Sequence, residues 1–373
     1  MPVQTEPQTQ AWDTTVQQPH GGQSWSTIEN FVEDFSVTTN ALGTPAGALK
    51  AAHRALDHTN HYPAANQEPA KSALSQFLWG REAGLQESNL GRLLLGNGAS
   101  ELLDLIIRTA PAGPWKAGPW DVQYKEYERA AIANNRVILP AGTAEKTPVV
   151  SIVNPCNPTG DYMDVETLKQ WLSDNVADGG VALVDESMQP WLSSEFRKDS
   201  LISQGEFLAT LFRERGISVY LIHSWTKLWC CAGIRVGSVI CPTVEHCQEL
   251  KRLAVPWSVN CVAIAFVAEV VKDEAYLAET WRVTTPWRKM LVDAMAQIDS
   301  TWECHGEEFL SWVWMDVKKE QTAKQIVHLA HEAGVPVRSG GPGYNRPTFV
   351  RLAVRAPEHV DVLVKALSPL RAH

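Results

Sequence analysis

No apolar run in this 373-residue chain is long enough to cross a bilayer, so no membrane-spanning helix is expected. Basic charge is not in excess. The 33 Lys and Arg against 42 Asp and Glu give a net charge of −9, and no dense Lys/Arg run stands out. That argues against a nucleic-acid binder. Cysteine is sparse: the seven are scattered, odd in number and in no Cys-x-x-Cys pair, which rules out a disulfide scaffold. A reducing cytoplasm is the expected setting, and no metal ligand set is expected. A Gly-x-Gly-x-x-Gly opening a helix with a correctly spaced acidic residue is also lacking, which disfavours a nicotinamide dehydrogenase. There is no internal repeat, and low complexity is confined to the Gln/Thr-rich first 25 residues. The opening MPVQTEPQTQAWDTTVQQPHGG has neither a basic start nor an apolar run, so it is expected as a loose arm and not a signal peptide.

What remains is ordinary for a globular protein with a sizeable core: 45% hydrophobic and 20% charged residues. Trp is plentiful at 15 residues, and most are expected in packing. Short apolar runs alternate with helical patterns, which predicts an α/β fold. Buried strands are expected at Arg92–Leu95, Val149–Val153, Val181–Val184, Val219–His223 and Gly237–Cys241. A helix is expected over Ser100–Thr109, with Leu102, Leu103, Ile106 and Ile107 on one face. Beyond Pro256 the texture changes. A helix at Val259–Lys272, a polar helix to Met295, a strand at Phe309–Val317, a helix at Thr322–Ala333, a strand at Phe349–Val354 and a helix at Pro357–Leu370 suggest a separate small α/β domain. The expected division is an arm over 1–45, a large domain over 46–257 and a small one over 258–373.

Four segments in order carry the chemistry. Gly96-Asn97-Gly98-Ala99-Ser100-Glu101 joins a strand to a helix, a geometry that brings backbone N–H groups to a phosphate. It also fits a plain turn, and it is no Walker A loop, because no Gly-Lys-Ser/Thr follows. Asn154-Pro155-Cys156-Asn157-Pro158-Thr159-Gly160 follows a second strand, and Asp185 ends a third. Ser224-Trp225-Thr226-Lys227 and Gly233-Ile234-Arg235-Val236-Gly237 then leave the C-terminal end of the strand at Val219–His223. Open α/β sheets bind ligands there. A Lys in that place can form a Schiff base with an aldehyde, and Ser224 and Arg235 can reach an anionic phosphate. Taken alone, Lys227 reads equally well as a solvated surface lysine near a turn.

Together, NPCNPTG, Asp185, SWTK and GIRVG resemble the fold-type-I pyridoxal-phosphate (PLP) enzymes of the class I/II aminotransferase group. HGG (20–22), HYP (61–63), GNGASELL (96–103), YKEYERA (124–130), PWSVN (256–260) and VRLAVRAPE (350–358) resemble the branch with histidinol-phosphate aminotransferase and threonine-phosphate decarboxylase. The resemblance implies a three-layer α/β fold with a mostly parallel central sheet in a large domain, plus a small C-terminal α/β domain. It implies PLP as cofactor, an α-amino-acid substrate joined to it as a Schiff base, and a homodimer with sites at the subunit interface. Lys227 would hold PLP, Asp185 would pair with the pyridine nitrogen, and Asn157 would donate to the phenolic oxygen. Gly98, Ala99 and Ser100 would bind phosphate, with Ser224, Thr226 and Arg235 adding contacts. Tyr124 would stack on the ring, and Tyr62 would reach the phosphate from the neighbouring subunit. Arg351 would grip the substrate α-carboxylate, and His20 and Asn40 would lie on the substrate side. For Tyr124, Tyr62 and Arg351 the residues alone fit packing or a surface ion pair as well.

Arg355 lies four residues after Arg351 on a strand-like run, hence on the same face, and is expected either to meet a second substrate anion or to close an ion pair at the strand end. Some positions depart from the family pattern. Met188 stands where a Tyr usually donates to the phenolic oxygen, and Met cannot donate. The arm's usual Asn-x-Pro-x-Gly appears as Asn40-Ala41-Leu42-Gly43. Val122 and Gln123 precede Tyr124 without the usual Pro, and Ala232 replaces another Pro. The expected activity is an aminotransferase. The alternatives are a decarboxylase resembling the threonine-phosphate enzyme and a non-catalytic PLP-fold module. A sugar aminotransferase would not need Arg351.

Overall fold

The computed structural model describes residues 20–371; expectations for the first part of the arm fall outside them. Seven strands form the larger sheet: β1 (Leu93–Gly96), β2 (Trp115–Ala117), β3 (Ile138–Leu139), β4 (Thr147–Val153), β5 (Val176–Asp185), β6 (Ser218–Ser224) and β7 (Gly237–Ile240). Their spatial order is β1-β7-β6-β5-β4-β2-β3, and only β7 runs against its neighbours.

The central strands bury both faces, as their unbroken apolar runs require. Val150, Ile152, Ala182, Val184, Val219 and Leu221 feed one core. Their alternating neighbours Val149, Val153, Val181, Leu183, Tyr220 and Ile222 feed the other. The helix Ala99–Thr109 covers the second face with Leu102, Leu103, Ile106 and Ile107. The helices Ala46–Ala55, Ala70–Trp79 and Val165–Asn175 cover the first.

Register positions the site. Val153 of β4 pairs with Asp185 of β5, and Asp185 pairs with Ile222 of β6. The three strands therefore end at one edge, and the segments carrying Asn157, Asp185 and Lys227 leave the sheet side by side.

The second sheet contains β8 (Glu303–His305), β9 (Trp312–Asp316), β10 (Arg338–Ser339) and β11 (Phe349–Ala353), all antiparallel in the order β10-β11-β9-β8. Its core joins Val313, Met315, Val350 and Leu352 to Ile326, Val360 and Leu363 of two helices. Phe35 of the arm lies in that core, bridges Val337 and accepts a hydrogen bond from the Ala353 N–H at 2.9 Å. This part of the arm is thus docked.

The first core runs past residue 258. The helix Cys261–Val270 is apolar nearly all round and packs with Ala48, Ala52, Ala70 and Leu74 in that core. The change of core falls within the helix Glu274–Ile298, which contributes Leu277 to the first and Leu291, Met295 and Ile298 to the second. Among the described residues no helix is long and apolar enough to cross a membrane.

Candidate active site

A cleft opens at the shared strand edge, lined by Thr38, Ala99, Ser100, Tyr124, Asn157, Asp185, Ser187, Met188, Ser224, Thr226, Lys227 and Arg235 among others. Lys227 stands on the single helical turn Trp225–Leu228 that follows β6. Burial, with Arg351 and Arg235 nearby, lowers its amine to about 8. About a tenth of such an amine is neutral, and so nucleophilic, at pH 7. Among the described residues no hydrogen bond restrains Nζ. Below this turn, Trp225 stacks between His223 and Trp229, and its Nε1 donates to Ser238 Oγ at 2.8 Å, so the base of the lysine is rigid.

One end of the cleft is built for an anion. The helix Ala99–Thr109 begins after Gly98, with no side chain capping its first N–H groups. Gly98 has φ of +75°, and a Cβ there would stand 2.5 Å from Arg235 Nη2. A Cβ on Gly237 would stand 2.4 Å from the Ala99 nitrogen. The positive end of a helix and a guanidinium are therefore pressed together, an arrangement that an anion between them stabilises. Ser224 Oγ and Thr226 Oγ1, 2.8 Å apart, complete this end.

At the other end Asp185 is buried, which pushes its carboxyl up. The Ser187 N–H, the Tyr127 hydroxyl and the Lys227 charge oppose that shift. Asn157 Oδ1 accepts from Arg351 Nη1, leaving the amide NH₂ uncommitted among the described residues. Arg351 is buried on β11, donates Nη2 to Ser36 O at 2.7 Å, and keeps an Nε with no partner. No carboxylate pairs with it among the described residues. Tyr124 lines the cleft, and its ring is 5.8 Å from that of His20, whose Nε2 meets Glu126 Oε1 at 2.8 Å.

Two expected site residues, Arg355 and Asn40, lie elsewhere, while Tyr62, expected at a neighbouring subunit's phosphate, lies outside its own chain's cleft. Arg355 does not face a second substrate anion. Its Nη1 donates to Thr39 O and Val354 O, its Nη2 to Asp34 O, Val37 O and Thr39 Oγ1, and its Nε meets Asp34 O and Glu33 Oε1. The residue staples the arm to the end of β11, because the strand has already ended at Ala353 and the chain is turning. Asn40 is likewise structural. Its Nδ2 donates to Leu228 O and Thr280 Oγ1, and its backbone N–H donates to Lys227 O. It anchors the turn that bears the lysine and is not itself among the residues that line the cleft. Tyr62 is 80% exposed and stacks on the exposed Trp257 with ring centres 4.6 Å apart, outside its own chain's cleft.

Three residues beyond the expected set belong with the site. Tyr127 donates to Asp185 Oδ2 at 2.9 Å, and Ser187 donates its N–H to Oδ1 at 2.9 Å. Tyr127 is the second residue of the helix Glu126–Ala133, and Tyr124 lies two residues ahead of that helix, so their closeness in sequence was a usable signal for Tyr127. Arg338 of β10 lies directly across from Arg351 in the ladder. Its Nη2 donates to Pro342 O at 2.9 Å and its guanidinium lies over the Tyr344 ring, so it adds positive charge on the same face as Arg351.

A lysine of lowered basicity, a buried carboxylate and an uncapped helix N-terminus at the strand ends of a mostly parallel sheet define an enzyme of the fold-type-I PLP class. The residues present fit PLP: an anion seat, an amine for its aldehyde and a carboxylate for its ring nitrogen. The family model for aminotransferase class I and II matches residues 120–367. The chain belongs to that family, and it is a PLP-dependent aminotransferase. It is 26% identical over 353 residues to histidinol-phosphate aminotransferase 2 of Pseudomonas aeruginosa, covering 90% of this chain and 88% of that one. It is 25% identical over 349 residues to histidinol-phosphate aminotransferase of Moorella thermoacetica, covering 89% and 84%. Among solved structures, histidinol-phosphate aminotransferase from Sinorhizobium meliloti in complex with PLP matches with a TM-score of 0.77 at 18% identity, over 94% of this chain and 95% of that one. L-threonine-O-3-phosphate decarboxylase from Porphyromonas gingivalis matches with a TM-score of 0.72 at 17% identity, over 91% and 99%.

Proposed function

We propose that Lys227 is the lysine that carries PLP, that Asp185 holds the proton on the ring nitrogen, and that Arg351 binds the acid group of an amino-acid substrate. The observation that carries this reading is the buried Arg351 guanidinium beside Asn157, without a carboxylate partner among the described residues and with Nε unsatisfied. A buried cation left so is costly unless a ligand supplies the anion. PLP, when bound, supplies an aldehyde for the substrate amine and a ring that accepts the electron pair left at Cα. The chain's residues do the rest. Arg351 orients the substrate by a forked, charge-assisted contact. With PLP bound, the Lys227 amine would be the group placed to move a proton from the substrate Cα. The free Asn157 amide would be available to the phenolic oxygen, and Tyr124 would cover the ring.

Arg338 across the ladder supports a substrate with a strongly anionic group, and a phosphate suits two guanidiniums better than a single carboxylate does. The relatives named for histidinol phosphate fit that chemistry. We further propose a homodimer in which Tyr62 reaches the partner's cofactor phosphate. Its exposure, and that of Trp257 beside it, supports this reading. The proposed setting is the cytoplasm, in keeping with seven cysteines that are all free thiols.

Borohydride treatment of the PLP-loaded protein should attach the cofactor to the peptide containing Lys227. Label on another lysine refutes the assignment. A panel of amino acids and phosphorylated amines should convert the bound cofactor to pyridoxamine phosphate. Release of CO₂ without that product would instead identify a carboxy-lyase.

A further inference from the structure

Asp185 has no arginine or lysine ion pair among the described residues, although it is buried among apolar strands. Neutral donors from two residues, Ser187 and Tyr127, hold it. The Ser187 N–H occupies Oδ1, and the Tyr127 hydroxyl occupies Oδ2, each at 2.9 Å. The Ser187 contact comes from the chain's own turn after β5, and Ser187 Oγ in turn accepts the Ser224 N–H at 2.7 Å. The Tyr127 contact is different in kind. It comes from another element, the helix Glu126–Ala133, through a wholly buried side chain packed with Ala130, Ala131, Leu183 and Ile222. Its ring also meets the Tyr124 ring edge-on, with centres 6.5 Å apart.

We infer that Tyr127 is a positioning residue for the transamination. Its hydroxyl fixes the rotamer and the ionised state of Asp185, and its ring ties that carboxylate to Tyr124 on the face of the cofactor. The inference rests on the assignment of Asp185 to the ring nitrogen. A phenol suits the role better than a cation. A lysine or arginine would compete with the ring N–H for the carboxylate, whereas one neutral donor steadies the charge and leaves lone pairs open. Burial and the neighbouring Asp185 push the Tyr127 phenol well above its ordinary value, so it remains the donor at any working pH. Met188 cannot donate at the other side of the ring, so the electronics of the site lean on the Asp185 end.

Tyr127→Phe in the PLP-loaded protein tests this. Without the hydroxyl, Asp185 becomes more basic and draws the ring proton toward itself. The nitrogen contributed by Lys227 then becomes more basic too. The pH midpoint of the visible absorption band should rise by about half a unit or more. The PLP dissociation constant should rise by roughly tenfold, and kcat should fall by roughly tenfold with KM nearly unchanged. The variant keeps the ring in the core, and its unfolding midpoint reports any packing loss. 3-Fluorotyrosine at position 127, a stronger donor, should move the band midpoint downward and serves if the Phe variant folds poorly. An unchanged midpoint in both proteins overturns the inference. Asp185→Asn, run in parallel, separates the two assignments. If it shifts the midpoint while the Tyr127 variants do not, Tyr127 alone is misassigned. If none shifts, Asp185 is misassigned and the inference falls with it.

Discussion

The floor and the roof of the cleft are built in opposite ways. The floor consists of the ends of β4, β5 and β6, where register alone brings Asn157, Asp185 and Lys227 together. The roof is assembled from distant pieces: residues 20–40 of the arm together with β10, β11 and the loop between them. Its contacts run through backbone carbonyls, as in Arg351 to Ser36 and Arg355 to Asp34, Val37 and Thr39. A floor set by sheet register tolerates little change in the residues that carry the chemistry. A roof held by side chain–backbone contacts can be rebuilt with other residues. Of the departures from the family pattern, those at Asn40–Gly43, Val122 and Gln123 fall on the roof or its rim, whereas Met188 and Ala232 fall in turns that leave the floor strands β5 and β6.

The largest effect is expected on the floor. Asp185→Ala should keep much of the PLP binding, because the phosphate seat at Ala99, Ser100 and Arg235 is untouched. Turnover should fall by about 10²–10³, the usual result of removing one preorganised electrostatic partner. Single-turnover formation of pyridoxamine phosphate measures this, and near-normal turnover would mean that the floor does not drive the chemistry.

The two buried arginines of the roof come next, since they separate binding from folding. Arg351→Ala should weaken substrate by about 2–4 kcal/mol, read as a rise in KM, with little change in unfolding midpoint. Arg355→Ala should do the reverse. It strands the carbonyls of Asp34, Val37 and Thr39 and the Glu33 carboxylate, at a cost of about 3–5 kcal/mol in stability. Urea unfolding of both variants, with KM for neutral and phosphorylated substrates, makes the comparison. A KM rise confined to phosphorylated substrates in Arg355→Ala would return that residue to the substrate pocket.

The same division explains what the sequence made legible. Five strands of the larger sheet, the three of the floor among them, were expected to within a few residues, because buried strands are continuous apolar runs bounded by turn residues. The amino end of β5 was missed, since Val176-Ala-Asp-Gly-Gly reads as a turn. β2, β3, β8 and β10, two or three residues each, are too short to show any period. The segments that carry Asn157, Asp185 and Lys227 stood out in the sequence as motifs after apolar runs, and register brings them to one sheet edge. Arg355 and Asn40 were misplaced because spacing and motif position place a residue on an element but do not say which partner absorbs its donors. Only the folded arm shows that Asp34–Thr39 lies within reach of Arg355. Tyr127 was overlooked for the same reason, as its partner Asp185 is 58 residues away.

The smallest expected effect concerns what joins roof to floor at the rim. Arg346, in the loop after β10, forms a two-pronged ion pair with Asp121, three residues before Tyr124. Beneath it Val122 packs with Trp314 of β9 and Tyr344 of the loop between β10 and β11. Both charged groups are partly solvated, with side-chain exposures of 33% and 64%. Such a pair is worth about 0–1 kcal/mol, because water already stabilises the separated charges and two side chains lose freedom. The apolar contacts beneath lose area to water if the sheets part, at about 25 cal/mol per Å², and this cost does not fade with salt. A double-mutant cycle with Asp121→Asn and Arg346→Gln should therefore give a coupling under about 1 kcal/mol at low salt and almost none near 1 M, where screening acts within about 3 Å. Val122→Ala should exceed it and be indifferent to salt. A coupling above about 2 kcal/mol that survives high salt would mean that the ion pair, and not the packing beneath it, holds the roof down.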